Sequence, residues 1–120
     1  MPASKENKDL IIAELENART KGSRLVIALK FAGKNADADK AKQKVRTLGG
    51  QIDDLIAKAM KQWSITAQIF IDDMKATNKS LQADINDIKK KRDLANKTVK
   101  ALGRLDEFIV KASEIIGKIR

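Results

Sequence analysis

Apolar residues recur along this chain at steps of three and four, the spacing that lines one face of an α-helix. Ile11, Leu15, Ala18, Gly22, Leu25, Leu29 and Ala32 make a first stripe. A second runs through Ala41, Val45, Leu48, Ile52, Ile56, Ala59, Trp63, Ala67, Phe70 and Met74. A third runs through Leu81, Ile85, Ile88, Arg92, Ala95, Val99, Leu102, Leu105, Ile109, Ala112, Ile116 and Ile119. The period barely falters after residue 38, so the helix ends have to be found from capping chemistry. In "FAGKNADAD", Gly33 is a C-terminal stop and Asn35 or Asp37 the next N-cap, which predicts a turn at 33–36. In "KATNKSLQAD", Asn78 or Ser80 is an N-cap candidate, which predicts a turn at 77–80. Gly49 and Gly50 interrupt "TLGGQ", but the register passes undisturbed from Leu48 to Ile52, which favours a kinked or weakened helix over a turn.

These signals predict an all-α fold: an elongated antiparallel three-helix bundle with helices over 5–32, 36–77 and 80–119. The alternative is a four-helix bundle with a break at Gly49-Gly50. Helices of about 40 residues would span about 60 Å, so a rod is expected. Trp63, the only Trp, is expected in the core. Length and composition agree with this picture. A chain of 120 residues suits a single domain over 1–120. One Pro, no Tyr and abundant Ala, Lys, Leu, Ile and Asp favour helix over strand.

Composition also removes chemistry. With no His and no Cys, zinc, haem and copper sites lack their usual ligands, and nucleophile-base pairs built on those residues cannot form. Asp53-Asp54 and Asp72-Asp73 are sequence neighbours, which point about 100° apart on a helix and do not converge. They read as solvated charges. No GxGxxG or Walker-type loop is present. The sequence therefore predicts no enzyme, no cofactor, no metal and no small-molecule substrate. The N-terminal stretch is charged and the longest apolar run is only "LVIAL", so neither a cleaved signal peptide nor a spanning helix is expected. A cytoplasmic location fits, and export without a cleaved signal peptide stays open.

Net charge is +9, and it sharpens in "INDIKKKRDLANKTVK". On a continuous third helix, Lys90, Lys97, Lys100, Arg104, Lys111 and Lys118 form one line opposite the apolar stripe, with Arg92 inside the stripe. Such a line is either a solvated face or a weak, nonspecific grip on a nucleic acid backbone or an anionic membrane. No aromatic residue accompanies it for base stacking. A second anomaly lies in residues that are apolar on the face away from the stripe. Ile27 and Phe31 sit opposite Leu25 and Leu29, and Ile65 and Ile69 sit opposite Trp63 and Phe70. They are either extra core or the contact surface for a protein partner or a second copy.

In outline the chain is similar to many small basic helical proteins, bacteriocin immunity proteins among them, but no residue motif carries a family assignment. The sequence favours a non-catalytic protein that works through protein–protein interaction: an adaptor, chaperone, immunity-type protein or self-assembling subunit. The alternative is a basic bundle that binds a polyanionic surface.

Overall fold

The computed structural model describes residues 4–58 and 68–118. Among these are four helices and no strand: α1 (Ser4–Phe31), α2 (Asn35–Ala57), α3 (Gln68–Lys89) and α4 (Leu94–Lys118). The chain is an all-α helical bundle. The expectation of three helices is overturned, and the four-helix alternative has the right number but the wrong break. Gly49 and Gly50 both lie inside α2, which continues to Ala57. A helix expected to run to residue 77 ends twenty residues earlier.

The first turn follows the sequence reading closely. Gly33 has φ 77°, the left-handed conformation that glycine adopts without a Cβ penalty. Its N–H donates to Lys30 O at 3.1 Å and the N–H of Lys34 donates to Leu29 O at 2.8 Å, which is the double closure of a Schellman motif. The N-cap of α2 is Lys34 rather than Asn35 or Asp37, and it makes no side-chain cap. At the other end of α2, the N–H of Lys58 donates to Leu55 O at 3.1 Å, and Lys8 of α1 adds a side-chain closure. Its ammonium donates to Ile56 O and to Lys58 O, both at 2.9 Å. A cation placed on the free carbonyls of a helix C-terminus is favoured by both hydrogen bonding and the helix dipole.

The turn expected at 77–80 does not exist. Asn78 lies within α3, buried, and its amide donates to Glu14 O at 3.1 Å and to Glu14 Oε1 at 3.0 Å on α1. A residue type that often starts helices instead ties two helices together. The true break lies at 90–93, inside the segment read as continuous helix. Lys91 (φ 55°) and Asp93 (φ 46°) are both left-handed. The N–H of Lys91 donates to Ile88 O at 3.0 Å and that of Arg92 to Asp87 O at 2.8 Å, the same double closure as at Gly33 with Lys in the glycine position. Asp93 O then accepts the first bond of α4, from Lys97 N at 2.9 Å.

Tertiary contacts give the arrangement. α1 packs against α2 and α3, and α4 packs against the same two, while α2 and α3 make no contact among the described residues. Glu14 meets Asn78, and Ile27 and Phe31 lie beside Ile88 and Lys89, so α1 and α3 run parallel. Lys44 meets Asp106, and Gln51 meets Ile109 and Ser113, so α2 and α4 also run parallel. Two antiparallel hairpins, α1α2 and α3α4, therefore lie side by side, with α2 and α3 at diagonal corners. α1 and α4 touch across the centre, where Gly22 is buried. A Cβ at Gly22 would stand 2.6 Å from Val45 Cγ2 and 3.2 Å from Leu105 Cδ2. Glycine is thus what lets three helices approach one another at that level.

The core follows the first stripe faithfully: Ile11, Leu15, Ala18, Leu25 and Leu29 are fully buried. The second stripe holds through Ala41, Leu48 and Ile52, then fails at Ile56, which is exposed while Leu55 is buried. Trp63 and Ile65 lie outside the described residues. The third stripe is correct on α3, where Leu81, Ile85 and Ile88 are buried, and out of phase at the start of α4. There Ala95 and Val99 are exposed, and the buried face is Thr98, Ala101, Leu105, Phe108, Ala112 and Ile115. Arg92 is exposed in the turn rather than set in a stripe. The described residues extend 48 × 22 × 16 Å, shorter than the expected rod because no described helix exceeds 28 residues.

Candidate interaction surfaces

Three surfaces merit a chemical reading, and the first is the end of the bundle where α1 and α3 finish. Phe31, in the last turn of α1, is 84% exposed, and Ile27, one turn earlier, is 55% exposed. Both face away from the core stripe for the reason read from the sequence: they lie opposite Leu25 and Leu29 on the helix. With Ala28, Ala32 and Ile88 they line a cleft of about 280 Å³ whose only charged walls are Lys89 and Lys91. Ile69, the other half of the second apolar pair, belongs to α3, and its side chain is not among those described.

The second surface is the basic line. It is not a single line, because the turn at 90–93 separates Lys90 from the residues of α4. Lys97, Arg104 and Lys111 recur every seven residues one position before the buried Thr98, Leu105 and Ala112, at the edge of the core face. They point toward α3. Lys97 Nζ lies 3.8 Å from Asp84 Oδ1 and 3.3 Å from Asp87 Oδ2. Arg104 Nε lies 3.5 Å from Asp84 Oδ2, without hydrogen-bond geometry, and its Nη1 lies 3.9 Å from Glu107. Lys111 Nζ pairs with Asp73 Oδ2 at 3.1 Å and stands 5.7 Å over the centroid of the Phe70 ring. The side chain of Asp84 is only 5% exposed, so its charge is balanced by two cations of the facing helix. These three basic residues clamp α4 to α3. Lys90, Lys100 and Lys118 are exposed.

The third surface was not foreseen. Between α3 and α4, on the half of the bundle away from Phe31, a groove of about 520 Å³ has Met74, Gly103 and Val110 among its apolar walls and Asp106, Glu107 and Glu114 on its rim. Val110 is 57% exposed, and a Cβ at Gly103 would meet nothing within 4 Å, so the missing side chain deepens the groove. Asp73 also borders it, already paired with Lys111, and Asp106 is engaged by Lys44. The signal was present in the sequence as a helical Gly followed at steps of three and four by Asp106, Glu107, Val110 and Glu114, but it required the correct phase of α4 to be read.

The neighbouring acids do not converge on a metal site. Asp53 and Asp54 are exposed, Asp72 accepts from Gln68 at 2.8 Å, and Asp73 faces Lys111. No group of three acids suited to a metal ion occurs among the described residues, and no described helix is long and apolar enough to cross a membrane. Comparison with protein families, characterised proteins and solved structures returns no match, so the functional reading rests on these surfaces alone.

Proposed function

We propose that this chain is a non-catalytic helical-bundle protein that acts through protein–protein contact, with the Phe31 end as its docking surface. The observation that supports the reading is the exposure of Phe31 together with Ile27 beside a cleft walled by Ala28, Ala32 and Ile88. Exposing a large aromatic side chain forgoes about 1.5–3 kcal/mol of burial free energy, and partner contact recovers it. A cytoplasmic setting belongs to the same reading, on the absence of Cys. A photo-reactive residue in place of Phe31 should trap a protein in the producing cells, and adding Ile27→Asp should abolish the adduct. The same group in place of exposed Asp53 should trap nothing. Absence of any protein adduct at position 31 would reject the reading.

A second reading, attachment to a polyanionic surface, has its own support: Lys89, Lys90, Lys91 and Arg92 are four successive exposed cations at the same end. If they neutralise four phosphates of duplex DNA, log-log salt dependence has a slope of roughly −3.6. Reversing them should abolish binding, whereas reversing Lys40, Lys42, Lys44 and Arg46 should weaken it far less. Equal losses in the two variants would leave only overall charge at work.

A further inference from the structure

We propose that the acidic groove between α3 and α4 receives the Phe31 end of a second copy of the chain, so that copies join head to tail. This rests on the reading above that the Phe31 end docks on protein, and it names the partner. The argument is complementarity in two independent respects. At the Phe31 end the 84% exposed ring of Phe31 stands out beside an apolar cleft whose charged walls, Lys89 and Lys91, are positive, with no acid among them. The groove is an apolar depression lined by four acids, Asp73, Asp106, Glu107 and Glu114, against one cation, Lys111, with Lys44 on Asp106 and Arg104 near Glu107 from outside it, on a chain whose net charge is +9. A lining with more acids than cations, on a molecule of opposite net charge, is suited to a basic partner, and this chain is itself such a partner.

Geometry makes the contact intermolecular. The projecting ring and its cleft are built from the last turns of α1 and α3, whereas the groove uses residues 73–77 of α3 and 103–114 of α4, so one copy cannot fill its own groove. Each copy then presents one free projection and one free groove, a heterologous contact that grows into a ring or an open chain. Repulsion between copies of charge +9 opposes association at a distance. At about 0.15 M salt the Debye length is about 8 Å, so the local charges at the contact decide.

Gly103 supplies a clean test. Gly103→Leu puts a side chain into open space on a helix, where leucine has the higher helix propensity, so it blocks the groove without disturbing the fold. Phe31→Asp blocks the projection. In sedimentation equilibrium of the full chain at about 0.15 M salt, the unmutated protein should show mass rising with concentration beyond that of a dimer. Each variant alone should stay monomeric with unchanged helicity. Their equimolar mixture should form dimers and stop there, because only one projection and one groove remain intact. A monomeric unmutated protein, assembly by Gly103→Leu as strong as that of the unmutated chain, or no dimer in the mixture would overturn the inference. So would a monomer whose binding to phosphatidylserine vesicles is lost on Phe31→Asp, since that assigns the end to an anionic membrane. If the chain is monomeric while crosslinking at position 31 traps a different protein, the docking reading stands and the second copy is excluded.

Discussion

Two glycines in nominally equivalent helical positions have opposite consequences. A Cβ at Gly22 would stand 2.6 Å from Val45 and 3.2 Å from Leu105, whereas one at Gly50 faces open space. Alanine gains about 1 kcal/mol of helix propensity at either site. At Gly22 that gain is outweighed, since Val45 is stiff at χ1 and overpacking costs about 1–3 kcal/mol. Denaturant unfolding should therefore show Gly50→Ala more stable than the unmutated chain and Gly22→Ala less stable. A stabilised Gly22→Ala would mean that the helices are not held at this separation. Lys91 makes the converse case. It occupies a left-handed position that costs a non-glycine residue about 1–2 kcal/mol, and its side chain is exposed. Lys91→Gly should raise stability by about 1 kcal/mol, with the same helicity by circular dichroism.

Pairing of helices depends on residues at the edge of the core. Asp84 is buried with Oδ2 lacking a hydrogen bond, between Lys97 and Arg104, which each keep part of their surface in water. Removing the acid leaves Lys97 and Arg104 as cations that still reach water, whereas stripping the cations leaves a buried carboxylate uncompensated. Asp84→Leu should thus change unfolding free energy by less than about 1 kcal/mol. The double variant Lys97→Ala/Arg104→Ala should lose about 2 kcal/mol, below the ~3–5 kcal/mol of fully buried pairs because solvent still reaches this cluster. The opposite order of effects would show that Asp84 itself, rather than its compensation, stabilises the α3–α4 hairpin. The same residues illustrate what sequence reading missed. Lys97, Arg104 and Lys111 look like a free basic line only if α4 continues the phase of α3. The two left-handed residues at 91 and 93 reset that phase, and the cations turn toward acids.

For the molecule as a whole, length separates the two architectures most directly. Two helices of about 40 residues would make a rod of about 60 Å, but the described residues extend 48 Å along the longest axis. X-ray scattering from the Phe31→Asp variant should give a particle near the shorter value, with the unmutated protein longer if copies join end to side. A monomer of about 60 Å would restore the three-helix arrangement. The rearrangement also explains how the 21 fully or nearly buried apolar side chains among the described residues are covered by short helices. Each helix packs against two or three others, so small residues such as Ala18, Ala41, Ala101 and Ala112 can sit fully buried at close approaches.

By itself the sequence determined the helical class, the first turn and the buried face of α1, because these depend on local chemistry: heptad-like spacing, and a glycine that alone accepts φ 77° without strain. It also determined that Ile27 and Phe31 lie off the core stripe. Only the tertiary structure decided where the later helices end. Asn78 carries the chemistry of an N-cap but meets Glu14 of α1, and Lys91 has no turn signature yet takes the left-handed position that closes α3. In both cases packing between helices outweighs a local preference of about 1 kcal/mol. The acidic groove belongs to the same class, since it exists only where α3 and α4 bring Met74, Gly103 and Val110 into one lining, a juxtaposition that no spacing along the chain encodes.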